Sequence, residues 1–240
     1  MTRISCMVVI VTTLLAASGA ADAQMRGHGG PVRAIAISPD GRNVLSGSFD
    51  TSVIRWSVAT GFAGQVLRFH SGAVNAVVFL GNRRMASAGA DGRIAIWTAG
   101  RSQPDTVLKG HTAPIVALAV SPDGATLASA SWDGSVRLWS LDGSATSRVL
   151  EGHSQNVNGV AFLPDGRSVV SVGYDLTLRI WPLSGGAPDV IALPSPLNAV
   201  AVAADGNISA GAADGKVYFL TGDGKIAGET RAGKTPVISL

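Results

Sequence analysis

Cysteine is nearly missing: Cys6 is the only one in 240 residues. It lies within the first 23 residues, which read as a removable leader, so the chain that follows has none. That excludes disulfides, cysteine-ligated zinc, a thiol nucleophile and a covalently attached c-type haem from residues 24–240. Aromatic residues make up 5% and charged residues only 15%. The net charge is +3, and no basic run exceeds the pair Arg83-Arg84. So thin an excess gives no footprint for nucleic acid. Past the leader, no apolar stretch is long enough to span a membrane. Apolar residues are not scarce, at 46%, which excludes a disordered chain. The length leaves room for a large buried core.

The leader has three parts. Arg3 supplies a positive start, Met7 to Ala17 an apolar centre, and Ala21-Asp22-Ala23 the small residues of a cleavage site. The apolar centre is too short to serve comfortably as a transmembrane anchor. Cys6 stands away from the cleavage point, which excludes a lipoprotein signal. Export to the periplasm is expected, with cleavage near Ala23–Gln24.

Self-similarity organises the rest. Histidines stand at 28, 70, 111 and 153, and tryptophans at 56, 97, 139 and 181, each series stepping by 41 or 42. Six residues before each of these tryptophans comes Asp50, Asp91, Asp133 or Asp175; four before each aspartate comes Ser46, Ser87, Ser129 or Ser171. A fifth copy keeps Asp214 but has Ala210 for the serine, Leu220 for the tryptophan and Leu193 at about the histidine position. Residues 231–240, RAGKTPVISL, then restart the pattern. Within a copy, short apolar runs alternate with turn sequences such as Ser121-Pro122-Asp123-Gly124 and Asp133-Gly134. Four short antiparallel strands repeated at this period describe a propeller blade.

These features strongly resemble the WD40 family. The resemblance covers nearly all of residues 27–232 and rests on Gly27-His28, Gly110-His111 and Gly152-His153, on the SPDG, LPDG and AADG turns, and on endings such as SASWDGSVRLWS. The aspartate that usually follows the tryptophan is replaced by Ser57, Thr98, Ser140 and Pro182. The expectation is an all-β propeller: a signal over 1–23, five blades over 24–231, and the first strand of a sixth over 232–240. Such propellers usually close with seven blades, so two open edges are expected, and with them a fragment, a truncated reading frame or a chain that closes by oligomerisation.

The resemblance also implies that the His, Ser, Asp and Trp of one blade form a hydrogen-bonded chain: His28-Ser46-Asp50-Trp56, His70-Ser87-Asp91-Trp97, His111-Ser129-Asp133-Trp139 and His153-Ser171-Asp175-Trp181. A Ser, His and Asp set invites comparison with a hydrolase triad, but a triad occurs once per active site and this set occurs four times. It uses every histidine, leaving none for a base or a metal. The carboxylates are likewise placed in tetrads, turns and loops, with no glycosidase pair. The string GETRAGKT at 228–235 fits a phosphate-loop pattern, yet Pro236 and a β-type run follow where a helix should open. No enzyme activity, cofactor or metal is expected.

In the family, the residue before the repeat aspartate often meets partners; here these are Phe49, Ala90, Trp132, Tyr174 and Ala213. Phe49, Trp132 and Tyr174 are the candidate anchors, Trp132 first, with packing between blades the alternative for Phe49 and Tyr174. Arg33, Asn75, Val116, Asn158 and Asn198, near the starts of the inner strands, could ring the same mouth. Arg55, Arg137 and Arg179 recur on the third strand and read as solvated edge charges. The leading expectation is an exported, non-catalytic scaffold for a protein partner. The alternative is the front portion of an exported c-type cytochrome whose haem domain lies beyond residue 240.

Overall fold

The computed structural model describes residues 27–144 and 147–240; the leader, with Cys6, lies outside them. Twenty strands form five separate antiparallel sheets of four. The first holds β1 (Val32–Ile37), β2 (Asn43–Ser48), β3 (Ser52–Ser57) and β4 (Ala63–Arg68). The second holds β5 (Val74–Phe79), β6 (Arg84–Gly89), β7 (Arg93–Thr98) and β8 (Thr106–Lys109). The third holds β9 (Ile115–Val120), β10 (Thr126–Ser131), β11 (Val136–Ser140) and β12 (Ser147–Leu150). The fourth holds β13 (Val157–Phe162), β14 (Ser168–Gly173), β15 (Thr177–Pro182) and β16 (Asp189–Ala192). The fifth holds β17 (Leu197–Val202), β18 (Ile208–Ala212), β19 (Lys216–Leu220) and β20 (Ile226–Arg231). These are propeller blades in an open ring.

Each strand is short because turn chemistry punctuates it. In the first hairpin turn, the Ser38 hydroxyl donates to Asp40, Asp40 accepts the Arg42 N–H, and Gly41 takes φ +68, a conformation that costs glycine little. The same turn recurs at Ser121, Asp123 and Gly124.

The cores lie between blades. Four apolar clusters join the first blade to the second, the second to the third, the third to the fourth and the fourth to the fifth. At each seam an apolar residue at the start of an inner strand joins a cluster that includes the previous blade. Val74 packs on Gly47 so closely that a Cβ on that glycine would lie 2.7 Å from it. Val74, Ile115, Val157 and Leu197 are all 0% exposed. Their counterpart on the first blade, Val32, is 49% exposed, with Ile35 and Ile37 bare beside it. Burying one such side chain is worth about 1.5–3 kcal/mol, so each seam is a substantial stabilising unit.

Residues 232–240 continue the pattern partway. Val237 packs over Gly211, and its N–H donates to the Ala212 carbonyl, in the place of a sixth inner strand. No second strand stands beside it to form a ladder, and the segment is not a strand.

Candidate functional site

The inner strands β1, β5, β9, β13 and β17 all carry a register shift near their start, between Val32 and Ala34, Val74 and Ala76, Ile115 and Ala117, Val157 and Gly159, and Leu197 and Ala199. The residue skipped by the ladder is Arg33, Asn75, Val116, Asn158 or Asn198. A bulge re-aims its side chain, and here it turns one residue per blade toward a common opening. These five residues, with Trp132, Tyr174, Ile238 and Ser239, line a cavity of about 270 Å³ at the channel mouth.

The bulge also leaves a backbone carbonyl without its ladder partner. Asn75 donates through Nδ2 to the Ile115 carbonyl at 3.0 Å, and Asn158 to the Leu197 carbonyl at 2.9 Å. Each amide thus ties its blade to the next. Asn158 does more, since its Oδ1 accepts from Trp132 Nε1 at 3.1 Å. The indole is therefore held by one bond while its ring stays 44% exposed. Tyr174, on the neighbouring blade, is 43% exposed. Phe49 is 55% exposed but lies on the first blade, outside the residues lining the mouth. The three expected anchors thus separate into a pair and an outlier. Ala90 and Ala213 share the backbone position but bring no aromatic ring.

The polar tetrads stand behind this surface. In the third blade, Trp139 Nε1 donates to Ser129 Oγ at 2.9 Å, Ser129 Oγ stands 2.7 Å from His111 Nε2, and His111 Nδ1 2.7 Å from Asp133. Because an ionised carboxylate can only accept, the proton of the neutral imidazole sits on Nδ1 facing Asp133, which leaves Nε2 to accept the Ser129 O–H while the serine oxygen accepts from the indole. The first, second and fourth blades repeat this with no corresponding distance above 3.1 Å. The carboxylate also takes the N–H of the residue after the histidine, as Gly29, Ser71, Thr112 and Ser154.

Burial pushes the Asp133 carboxyl up, but hydrogen bonds from Ser135, His111 and the Thr112 N–H outweigh it and hold it below the usual range. Burial drives the His111 and His153 pKa values down more than their aspartates raise them, so both rings are neutral. All four histidines are thus held in hydrogen-bonded chains.

A fifth member of the chain went unread in the sequence. Ser52, Ser135 and Thr177, two residues after the aspartate, donate to it at 2.6–2.8 Å. The recurrent Asp-x-Ser or Asp-x-Thr spacing carries the signal. The third-strand arginines differ from expectation as well. Arg137 and Arg179 are partly buried, their guanidinium groups 5.9 and 5.8 Å from the Trp139 and Trp181 ring centres. Gly110 leaves the room that Arg137 fills: a Cβ there would lie 2.7 Å from Arg137 Nη1, so the guanidinium would have to shift. In the second blade Ala95 replaces the arginine, and Phe69 takes the glycine position, its ring edge-on to Trp97.

A groove of about 550 Å³ opens on the free face of the first blade, lined by His28, Val32, Ile35, Val44, Ser46 and Trp56 among others. Its walls correspond to surfaces that neighbouring blades cover elsewhere, so it is an uncovered seam and not a built pocket.

The family described as "WD domain, G-beta repeat" matches residues 21–57, 63–98, 102–140 and 144–182. The chain is similar to the ribosome biogenesis protein YTM1 of Candida glabrata, 33% identical over 116 residues, which is 40% of this chain and 25% of that protein. It is similar also to the mouse F-box-like/WD repeat-containing protein TBL1X, 32% identical over 42% of this chain and 19% of that one. A third relative is the anaphase-promoting complex subunit cdh1 of Dictyostelium discoideum, 32% identical over 43% of this chain and 14% of that one. The chain belongs to the WD40 repeat family, and its matches span a quarter or less of these relatives.

Proposed function

We propose that this WD40 protein is a non-catalytic scaffold that binds a protein partner at the channel mouth, and that it does so after export to the periplasm. The observation that carries the binding reading is the convergence of five bulged strands on one opening beside an indole locked in place by Asn158. Rigid, half-exposed aromatics beside adaptable amides are what a protein interface needs of its anchors. Membership of the family supports the reading, as do relatives such as the anaphase-promoting complex subunit, named as a component of an assembly. Export rests on the leader sequence alone. The described residues lend the electron-transfer alternative no support.

The test is comparative cross-linking in the native source. Partners recovered with the wild-type chain should be lost with Trp132→Ala plus Tyr174→Ala, and kept with substitutions at the opposite end, such as Asp123→Ala. Equal recovery from both variants would refute a role for the mouth. Export is checked by the mass of the recovered protein, expected at roughly 22 kDa after leader removal.

A further inference from the structure

Charge is distributed unevenly around the ring. Residues 27–109, the first two blades, carry nine Lys and Arg against four Asp and Glu; residues 110–192, the next two, carry four against seven. The asymmetry reaches the mouth end of the blades. Arg33 lines the opening, while Arg68 ends β4 opposite Ser52, and Arg93 opens β7 directly opposite Lys109. Two like charges face to face across strands are destabilising, and here they are retained. None of these four cations has an ion-pair partner among the described residues, whereas Arg101 and Lys225, at the other end of the blades, pair with Asp105 and Asp223.

The carboxylates at the mouth end are engaged differently. Asp50, Asp91, Asp133 and Asp175 face their histidines, and Asp214 accepts the Lys216 N–H. The exposed Glu151 follows β12 on the third blade, outside the two basic blades. The face therefore has two parts: exposed, unpaired cations over the first two blades, and the Trp132–Tyr174 pair over the next two.

We propose that the mouth binds an acidic, extended peptide segment of a partner protein, with one large apolar residue seated against Trp132 and Tyr174 and its carboxylates over Arg33, Arg93 and Lys109. This rests on the scaffold reading above and names the chemistry of its partner. A peptide fits both parts because it can place charge at one end and an apolar side chain at the other. A nucleic acid strand stacked on the aromatic pair would carry its phosphates across blades whose net charge is negative, and its backbone charge cannot be left out there.

The experiment selects from a random displayed library of short peptides on the full chain, then measures synthetic copies of the selected sequences by titration. The expected result is enrichment of Asp and Glu beside one Leu, Phe, Trp or Tyr. Affinity should fall about tenfold or more for Trp132→Ala, the order of loss for an interface anchor. It should also fall several-fold for the combined Arg33→Gln, Arg93→Gln and Lys109→Gln variant, and weaken as salt is raised, as for charges at an interface rim. All three are exposed, and an unchanged melting temperature checks that the fold survives.

Selected peptides without acidic residues, still lost on Trp132→Ala, would overturn the acidic partner and keep the scaffold reading. Peptides indifferent to both Trp132→Ala and Tyr174→Ala, or no enrichment at all, would overturn both. A single-stranded oligonucleotide bound as tightly as the best peptide, with the same dependence on Trp132, would replace the peptide as occupant.

Discussion

The third and fifth blades solve one packing problem in opposite ways. In the third, an indole, a hydroxyl, an imidazole and a carboxylate are buried as a chain in which each group meets the next. In the fifth, Leu193, Ala210 and Leu220 hold the corresponding places, all buried, in an apolar cluster with Tyr218. Both are four-stranded sheets of the same topology. The difference teaches that the tetrad is a unit: a buried polar chain is stable when complete, an apolar core is stable without it, and a mixture leaves a polar group unpaired.

The strongest way to break the comparison is Trp139→Leu, which gives the third blade one feature of the fifth. It removes the largest buried side chain of the seam and takes the indole donor from Ser129. The expected loss is about 2–4 kcal/mol, less than the roughly 3–5 kcal/mol for cutting a buried tryptophan to alanine because leucine refills part of the space. A chemical denaturation midpoint measures it, with hydrogen exchange to show whether the loss centres on the third blade. A loss below about 1 kcal/mol would mean the tetrad is not a unit.

The converse change is Ala210→Ser, which puts one polar member into the fifth blade. Leu193 and Leu220 offer no acceptor or donor, so the hydroxyl is expected to cost about 1–3 kcal/mol, the penalty for an unpaired buried group. The same serine is required in four other blades. A neutral or stabilising result would show that a backbone carbonyl, or the buried Tyr218 hydroxyl that has no partner among the described residues, can satisfy it.

Acid should separate the blades next. His111 and His153 have folded pKa values below the unfolded value, so the unfolded chain binds protons first as pH falls. Their contribution is complete above about pH 6.5 and declines as pH drops toward the folded values. Asp133 and Asp175 are depressed too, so their contribution is present above the ordinary carboxylate range and is lost below it. The fifth blade contains no histidine. Amide protection in β10 and β14 should weaken below about pH 6 while that in β18 holds. A uniform loss across the blades would contradict the assignment.

The tetrads, the turns and the blade count were legible because they depend on residue type at a fixed spacing. The mouth was legible only in part. Arg33, Asn75, Val116, Asn158 and Asn198 align by period, but the bulge that aims them is a register event with no single-residue signature. Phe49 shares its sequence position with Trp132 and Tyr174, yet it belongs to a blade whose neighbour on one side is absent from the described residues. The stacked arginines were misread because an Arg on a strand is usually solvated. The pairing of Gly110 with Arg137 and of Gly152 with Arg179, against Phe69 with Ala95, shows that the guanidinium fills space a side chain would otherwise take.

The smallest effect tests the turn after the repeat aspartate. In the second, third and fifth blades it is glycine, with Gly92, Gly134 and Gly215 at φ +70, +83 and +82. In the first and fourth it is Thr51 at φ +70 and Leu176 at φ +64, where an L side chain crowds its own backbone. That conformation costs a non-glycine residue about 1–2 kcal/mol, while glycine gives back part of the gain through a freer unfolded chain. Thr51→Gly should therefore raise stability by roughly 0.5–1 kcal/mol, and Leu176→Gly by less, because Leu is not β-branched. Thermal denaturation of the two variants decides it. Leu176 also lies two residues from Tyr174, so its variant carries a second readout. If the strained turn serves the mouth, Leu176→Gly will bind the selected peptide more weakly while melting higher. If the strain is incidental, stability will rise and binding will stay unchanged.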